Sequence, residues 1–204
     1  CILAWNNTLG KFGSFPFQVT EEIAAGFSGR LLKDILSENL PFIPPDQYDG
    51  FIEMYTIQEA IQMRETMGKL YPDVKRSLEI LSEKYPLFIV SNCQKGYIEN
   101  FLEQHGLRSY FPDFECFGNT GNPKRENIRE IISRNQLSHP IYVGDTPGDY
   151  EASRWNQIPF IYASYGFGAS SPADHRIDQF TDLIMLLESA NKQNQGRSKQ
   201  NNCF

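Results

Sequence analysis

Apolar residues from about residue 70 onward follow two alternating patterns. Short continuous apolar runs predict buried strands, and between them apolar residues three and four positions apart predict amphipathic helices. Strands that alternate with helices of this length pair in parallel through right-handed crossovers. The pattern therefore predicts an α/β fold, with a three-layer, Rossmann-like core around an open parallel sheet. The predicted strands are 86–90, 113–117, 141–144 and 158–163, and the predicted helices are 72–84, 95–105, 125–136, 148–155 and 180–189.

The first third of the chain has a different pattern. Ile2 and Leu3 are predicted to end a first strand of the sheet, whereas residues 15–67 lack strand alternation and predict helices. Thr20 is a predicted N-cap, and a Pro-Pro-Asp sequence begins a longer helix that ends near Thr66. We therefore predict a small all-helical cap inserted after the first strand, at residues 15–67.

This prediction divides the chain into a core and a cap. The core takes residues 1–14 and 68–190. Residues 191–204 contain almost no apolar side chains and cannot offset the entropy lost on ordering, so they are predicted to be a disordered tail.

Composition and charge narrow the class of ligand. The 204 residues carry a formal net charge of −6 with acidic and basic residues interspersed, so there is no basic stripe for nucleic acid or an anionic membrane. The four cysteines lack CxxC spacing, and no apolar run reaches the roughly 18–20 residues of a membrane span. We predict a cytoplasmic protein that binds a small molecule, without a nucleic-acid or membrane partner; the sequence does not predict its oligomeric state.

Polar residues with complementary chemistry stand at predicted strand ends. Ser91 follows one strand, Asp145 follows another with Asp149 four residues later, and Lys124 lies in a loop between them. Each has an ordinary explanation alone: a turn serine, a helix-capping aspartate or a solvated lysine. Ligands of open α/β sheets bind at the carboxyl ends of strands, and this combination suits a phosphate ester bridged to a divalent cation. Together the residues predict a phosphate site.

These residues also match a known pattern. A Ser after an apolar strand, a Lys, and Gly-Asp-x-x-x-Asp at 144–149 resemble motifs of the haloacid dehalogenase superfamily, in its phosphoglycolate-phosphatase-like branch with a helical cap. The similarity extends from residue 1 to about residue 187. The resemblance implies a magnesium-dependent hydrolase that acts on the phosphomonoester of a small phosphorylated metabolite.

The resemblance implies a role for each matching residue. Ser91, with Asn92 beside it, would bind a phosphoryl oxygen, and Lys124 would neutralise the charge that develops during transfer. Asp145 and Asp149 would hold Mg²⁺, a hard cation that prefers carboxylate oxygens.

The first motif of that family, Asp-x-Asp-x-Thr, is matched with departures. Thr8 and Leu9 set a register in which Ala4 takes the position of the nucleophilic aspartate and Asn6 that of the acid/base aspartate. In this register Thr8 would contact phosphate and the Asn6 backbone carbonyl would bind the metal. Because a methyl group cannot attack phosphorus, the chain is expected to be inactive or strongly impaired and to bind Mg²⁺ more weakly.

Alternatives remain open at this point. Natural loss and deliberate replacement of the nucleophile both explain Ala4, and the alternative function is a pseudoenzyme that binds a phosphorylated ligand or partner without turnover. A dehalogenase is disfavoured, since it needs the same carboxylate. Thiol catalysis by Cys93 is disfavoured because no histidine is placed to activate it.

Overall fold

The computed structural model describes residues 2–13, 15–168 and 172–190. The predicted disordered tail, 191–204, lies outside the described residues. Two short 3₁₀ turns accompany the helices and strands, at Pro45–Gln47 and Arg108–Tyr110. In chain order the other elements are α1 (Ile2–Phe12), α2 (Glu21–Ala25), α3 (Leu32–Asn39), α4 (Tyr48–Thr66), α5 (Val74–Ser82), β1 (Phe88–Ser91), α6 (Tyr97–Gln104), β2 (Asp113–Cys116), α7 (Phe117–Thr120), α8 (Lys124–Arg134), β3 (Tyr142–Gly144), α9 (Pro147–Trp155), β4 (Phe160–Ala163), β5 (His175–Ile177) and α10 (182–190).

All strand pairs of the described residues are parallel, as the alternating pattern predicts. β1 pairs with β2, and β4 lies between β3 and β5 in a separate sheet. Helices α8 and α9 pack on one face of these strands, and α5 and α10 provide apolar side chains to the clusters on the other face. The α/β fold class and its three layers are confirmed, and each predicted element after residue 70 lies within a few residues of its observed position.

The predicted first strand is wrong. Residues 2–12 form helix α1, in which the buried residues Ala4, Trp5, Thr8 and Leu9 recur at helical spacing on one face. This face packs against α4, where the Trp5 ring lies 4.5 Å from the Tyr55 ring between centroids. A short apolar run fits a strand or a buried helix equally well, and here the packing against α4 selects the helix.

Helices α1–α4 form one unit, which we call the helical unit (residues 2–66). Its apolar cluster joins residues of α1 to Phe27, Leu36 and Phe51. Residues 2–12 therefore belong with these helices and not with the α/β core, contrary to the predicted boundary after residue 14. The helices predicted within 15–67 are present, and Thr20 caps α2 as predicted, since its side chain accepts a hydrogen bond from the Ile23 amide.

Strand β5 was not predicted. Residues His175–Ile177 have no apolar alternation, and they pair with β4 in parallel register. Among the described residues, no helix combines the length and apolarity needed to cross a membrane.

Candidate functional site

Strand β3 leads directly into helix α9, whose N-terminus is fixed by a capping box. Thr146 is the N-cap of α9, and its hydroxyl oxygen accepts the Asp149 amide, while Asp149 Oδ2 accepts the amides of Asp145 and Thr146 at 3.1 and 3.0 Å. Gly144 is required here, because a Cβ at this residue would lie 2.5 Å from the Asp149 Cβ. The local sequence thus holds the buried Asp149 carboxylate in one position beside the strand end.

Lys124 meets this carboxylate from the start of α8. Its Nζ lies 2.5 Å from Asp149 Oδ1, and the two side chains are only 11% and 5% exposed. Burial alone lowers the pKa of Lys124, but the electrostatic interactions with the Tyr142 hydroxyl and the Asp149 carboxylate, and the hydrogen bond to Asp149, outweigh this effect, so the pKa lies above its usual range. Burial likewise raises the pKa of Asp149, and the Lys124 charge reverses this to a lowered pKa. Both groups are therefore charged at neutral pH.

Asp145 is held from the opposite side by the loop after β4. Its Oδ2 accepts hydrogen bonds from the amides of Phe167 and Gly168, at 2.7 and 3.3 Å. A Cβ at Gly166 would collide with the Asp145 side chain, and one at Gly168 would collide with the Asp145 backbone. The sequence shows the glycines of this loop but not the two amides that bind Asp145.

Ser91 and Asn92 lie at the end of β1. The Ser91 Oγ accepts the Cys93 amide at 3.2 Å, so its O–H remains a donor. Asn92 Nδ2 donates to the carbonyl of Gly29 at 2.8 Å, and Asn92 Oδ1 is a buried acceptor without a donor among the described residues.

The Asn92 contact joins the helical unit to the site. Gly29 lies between α2 and α3 with a φ of +75°, and a Cβ there would lie 2.8 Å from the Thr146 methyl group. This loop of the helical unit therefore approaches two core loops, those after β1 and β3. Nothing in the sequence of the loop indicates this contact, since it depends on the backbone.

The remaining predicted site residues lie in the helical unit. Ala4 is fully buried in α1, and its carbonyl accepts the Thr8 hydroxyl at 2.7 Å. The Asn6 side chain donates to the Val19 carbonyl and accepts the Val19 amide. The Asn6 carbonyl lies inside a helix, where carbonyls accept from the backbone four residues on. The match of Ala4 to a nucleophile at a strand end is therefore incorrect, and the hydrogen bonds of Asn6 and Thr8 are internal to the helical unit.

Tyr142 is a neighbour of the site that the sequence does not single out. Its hydroxyl donates to the Val90 carbonyl at 3.1 Å and lies 3.5 Å from Asp149 Oδ1. Burial, more than any other factor, raises its pKa, so the phenol is neutral and serves as a donor.

The carboxylates of the site are its candidate ligands for a metal ion. Within the described ranges, no three His, Cys, Asp or Glu side chains form a metal-binding group. Mg²⁺ is commonly held by one or two carboxylates with water and substrate phosphate, so the pair at 145 and 149 is compatible in chemistry. Asp149 is already bound to Lys124 and to the start of α9, which leaves Asp145 as the principal candidate ligand.

Comparison with known proteins shows the family of the chain. The family model described as haloacid dehalogenase-like hydrolase matches residues 2–163, so the chain belongs to this family. It is 29% identical over 135 residues to a phosphoglycolate phosphatase of Aliivibrio fischeri, covering 61% of this chain and 59% of the relative. It is 27% identical over 163 residues to that of Vibrio parahaemolyticus, covering 74% and 68%. The chain thus spans about three fifths of the first of these relatives.

Solved structures show the same fold. A haloacid dehalogenase-like hydrolase from Streptococcus pneumoniae superposes with a TM-score of 0.78 at 21% identity, covering 90% of this chain and 88% of the other. CbbY from Rhodobacter sphaeroides, solved with phosphate, gives a TM-score of 0.74 at 15% identity, covering 88% and 87%. The predicted resemblance to the haloacid dehalogenase superfamily is confirmed.

Proposed function

We propose that the residues at the ends of β1 and β3 form the phosphate site of a magnesium-dependent, phosphoglycolate-phosphatase-like hydrolase that acts on a small phosphorylated metabolite. The observation that carries this proposal is the buried Lys124–Asp149 pair beside Asp145. An ammonium group has three donors, and the contact with Asp149 uses one of them. The charged Lys124 can thus bind a phosphate oxygen without leaving Asp149 unpaired.

The neighbouring groups support an anionic ligand with polar substituents. The Ser91 hydroxyl can donate to a phosphate oxygen, and the unpaired Asn92 Oδ1 can accept from a substrate hydroxyl or a water molecule. The phosphoglycolate phosphatases to which the chain is similar, and the related fold of CbbY in complex with phosphate, point to the same ligand class.

Magnesium would be held at Asp145 in this proposal. When bound, the cation would neutralise phosphate charge and polarise the phosphoryl group. The amides of Phe167 and Gly168 orient the Asp145 carboxylate, and the Lys124 charge keeps Asp149 deprotonated beside it. Because one carboxylate has this role, we expect weak Mg²⁺ affinity without phosphate ligand.

Turnover is expected to be strongly impaired. The reason is not the residue at position 4, which lies in helix α1, but the way the carboxylates of the site are held. Asp145 and Asp149 are the carboxylates that the described residues place in this cluster. Two loop amides hold the Asp145 carboxylate, and Lys124 together with the amides at the start of α9 holds that of Asp149, so neither is placed as a nucleophile. This observation also favours the second candidate function, a pseudoenzyme that binds the phosphorylated ligand without turnover.

Calorimetric titration with 2-phosphoglycolate, with and without Mg²⁺, tests the proposal alongside an assay for released phosphate. We expect binding that Mg²⁺ strengthens, and about a tenfold loss in Ser91→Ala, since a hydrogen bond to a charged group contributes about 1.5 kcal/mol or more. Thr8→Val is the matched control, because its hydroxyl bonds within α1, and it should change affinity less than about twofold.

Two results would contradict the proposal: no binding by the folded chain, or an equal loss in Ser91→Ala and Thr8→Val. The phosphate assay separates the two functions. Steady release of phosphate supports the hydrolase, and binding without release supports the pseudoenzyme.

A further inference from the structure

Two cysteines lie at the carboxyl ends of the paired strands β1 and β2. Cys116 is the last residue of β2 and stands opposite Ser91 in the parallel register, and Cys93 follows Ser91 by two residues. Both side chains belong to one apolar cluster, in which Cys116 is fully buried and Cys93 is half-buried. Neither thiol has a role in the phosphate site described above.

The backbone segments that carry these cysteines are in direct contact. The Gly118 amide donates to the Cys93 carbonyl at 3.0 Å, and Cys116 Sγ lies 3.9 Å from the Gln94 carbonyl oxygen. A Cβ at Gly118 would lie 2.0 Å from the Lys95 amide nitrogen, so this approach requires glycine. Paired strands lie about 4.8 Å apart, inside the range of roughly 4.4–6.8 Å between the Cα atoms of a disulfide. The fold therefore brings the two cysteines within reach of a disulfide bond.

The two thiols also interact with each other. A hydrogen bond between them is the main cause of two opposite changes, since it raises the pKa of Cys93 and lowers the pKa of Cys116 to about 7. Burial opposes the change at Cys116, and the amides of Asn119 and Gly118 add to it. One thiolate, stabilised by the second thiol as a donor, is therefore present near neutral pH. The thiolate is the form of cysteine that reacts with oxidants.

We propose that Cys93 and Cys116 are a redox-sensitive dithiol that a peroxide converts into a reversible intramolecular disulfide. A thiolate attacks one peroxide oxygen and breaks the O–O bond, which gives a sulfenic acid and, after protonation, one water molecule. The second thiol attacks the sulfenic sulfur, forms the S–S bond and releases the hydroxyl group as a second water molecule. Two electrons pass from sulfur to the peroxide, and half-buried Cys93 gives the peroxide access to the pair.

The disulfide would change the candidate site through the backbone of Cys93. The Cys93 amide donates to Ser91 Oγ at 3.2 Å. Bonded sulfur atoms lie about 2.05 Å apart, much closer than two thiols in contact, so oxidation draws Cys93 toward Cys116. We expect this movement to weaken the hydrogen bond to Ser91. Its importance for phosphate binding rests on the proposed function, whereas formation of the disulfide does not.

Peptide mapping tests the proposal directly. Trypsin cleaves after lysine and arginine, so it releases the four cysteines in four separate fragments, 1–11, 85–95, 109–124 and 200–204. The folded chain is treated with a few equivalents of hydrogen peroxide, and free thiols are then alkylated. Mass spectrometry should show fragment 85–95 linked to fragment 109–124 as the main linkage, with the loss of two hydrogen atoms. Dithiothreitol should remove the linkage.

The same treatment in urea is the control for the fold. In the unfolded chain the linkages should spread over several pairs of the four fragments, because no pair is held in contact. The proposal is overturned if the folded chain forms no linkage between 85–95 and 109–124, or if the folded and unfolded chains give the same distribution. Oxidation of Cys93 to a sulfinic acid without linkage would overturn it as well.

A conservative variant gives a matched control. Cys93→Ser keeps a hydroxyl donor at a half-buried position, and circular dichroism checks that it folds. Peroxide should leave fragment 109–124 of this variant unlinked, since the Cys116 thiol is buried with no other described cysteine beside it. Linkage of fragment 109–124 to any other fragment at the level seen in the unmodified chain would contradict a specific pair.

Amide exchange followed by NMR tests the effect on the loop without any ligand. Exchange of the Cys93 amide should be about fivefold faster in the oxidised chain, since a hydrogen bond contributes about 1 kcal/mol, and dithiothreitol should restore the slower rate. The Tyr142 amide, which donates to the Pro159 carbonyl between β3 and β4, is the control and should not change. Equal exchange of the Cys93 amide in both states would overturn the connection to Ser91.

Discussion

The helical unit and the core use polar side chains in different ways. In the helical unit, Asn6 and Thr8 hydrogen-bond to backbone groups of the same unit and hold its chain segments together. In the core, Lys124 at the start of α8 meets Asp145 and Asp149, which flank the start of α9, at the carboxyl end of β3. The comparison teaches that residue type alone does not mark a site, because parallel strands direct their loops to one place and a helical bundle does not.

Replacing Lys124 should cause the largest loss of stability and show how much the core depends on its buried ion pair. Lys124→Met leaves the buried Asp149 carboxylate without its counter-charge, and breaking a buried pair in this way costs about 3–5 kcal/mol. Urea denaturation at pH 7 should show a loss of this size in the free energy of unfolding. Phosphate binding should be lost with it.

Two further variants control this result. Adding Asp149→Asn to Lys124→Met should recover most of the loss, because the buried charge is removed. Lys33→Met breaks an exposed ion pair with Asp49 and should change stability by less than about 0.5 kcal/mol. Equal effects of Lys33→Met and Lys124→Met would show that the core pair has no special role.

A smaller loss of stability is expected from a substitution in the loop that orients Asp145. In Gly168→Ala the new methyl group meets the Asp145 backbone, which cannot move aside as a side chain can, so we expect a loss of about 1–3 kcal/mol. Gly148→Ala is the matched control, because its Cβ has an ordinary contact, 3.8 Å from Thr146 Oγ1. Thermal unfolding that is equal in the two variants would contradict the tight approach of this loop.

The buried carboxyl groups of the two regions should change the stability of the protein in opposite directions as pH rises. Burial raises the pKa of Glu59 in the helical unit above 4.5, so its folded form loses stability as pH rises above that value. Burial raises the pKa of Asp149, but the Lys124 charge and hydrogen bonds outweigh it and lower the pKa below 3.8. The ionised carboxylate therefore stabilises the folded protein above pH 3.8, and this stabilisation is lost as pH falls.

Denaturation of isosteric variants at several pH values measures this contrast. Glu59→Gln should gain stability relative to the unmodified chain as pH rises above 4.5, since its amide can still accept from the Tyr55 hydroxyl. Asp149→Asn should be less stable than the unmodified chain at neutral pH, with a difference that shrinks below pH 3.8. The same sign for both variants would contradict the assignment.

The smallest expected change in stability comes from a substitution in helix α1. Gly10 lies within α1 and has no atom within 4 Å of an added Cβ, so Gly10→Ala should raise the free energy of unfolding by about 0.5–1 kcal/mol. Chemical denaturation measures the gain. No gain, or a loss, would indicate that residue 10 is not in a helix.

The sequence predicts the core better than the first segment for a physical reason. Helix α8 has buried isoleucines at helical spacing, and strand β4 is a continuous buried apolar run, so the local pattern identifies both. The run around Ala4 is short and apolar, and its helix depends on Trp5 packing against Phe51 and Tyr55, which are distant in sequence.

The same distinction applies to the site. The approach of Lys124 to Asp149 follows from the rule that parallel strands bring their carboxyl ends together, and the strand ends could be read from the sequence. The Gly29 carbonyl and the Phe167 amide take part through the backbone of irregular loops, so no side-chain pattern identifies them. No sequence pattern predicts strand β5, because pairing with β4, and not apolar alternation, defines it.

Residue 4 belongs to the helical unit, and the segments that follow the core strands form the candidate site. Hydrolysis of p-nitrophenyl phosphate with Mg²⁺ by Ala4→Asp, compared with the unmodified chain, tests this arrangement most directly. Ala4 is 0% exposed, so a carboxylate there would be buried without a partner and should lower stability by several kcal/mol. We predict no gain in hydrolysis, together with this loss of stability by circular dichroism. A folded Ala4→Asp variant that hydrolyses the ester much faster than the unmodified chain would contradict the placement of residue 4 in the helical unit.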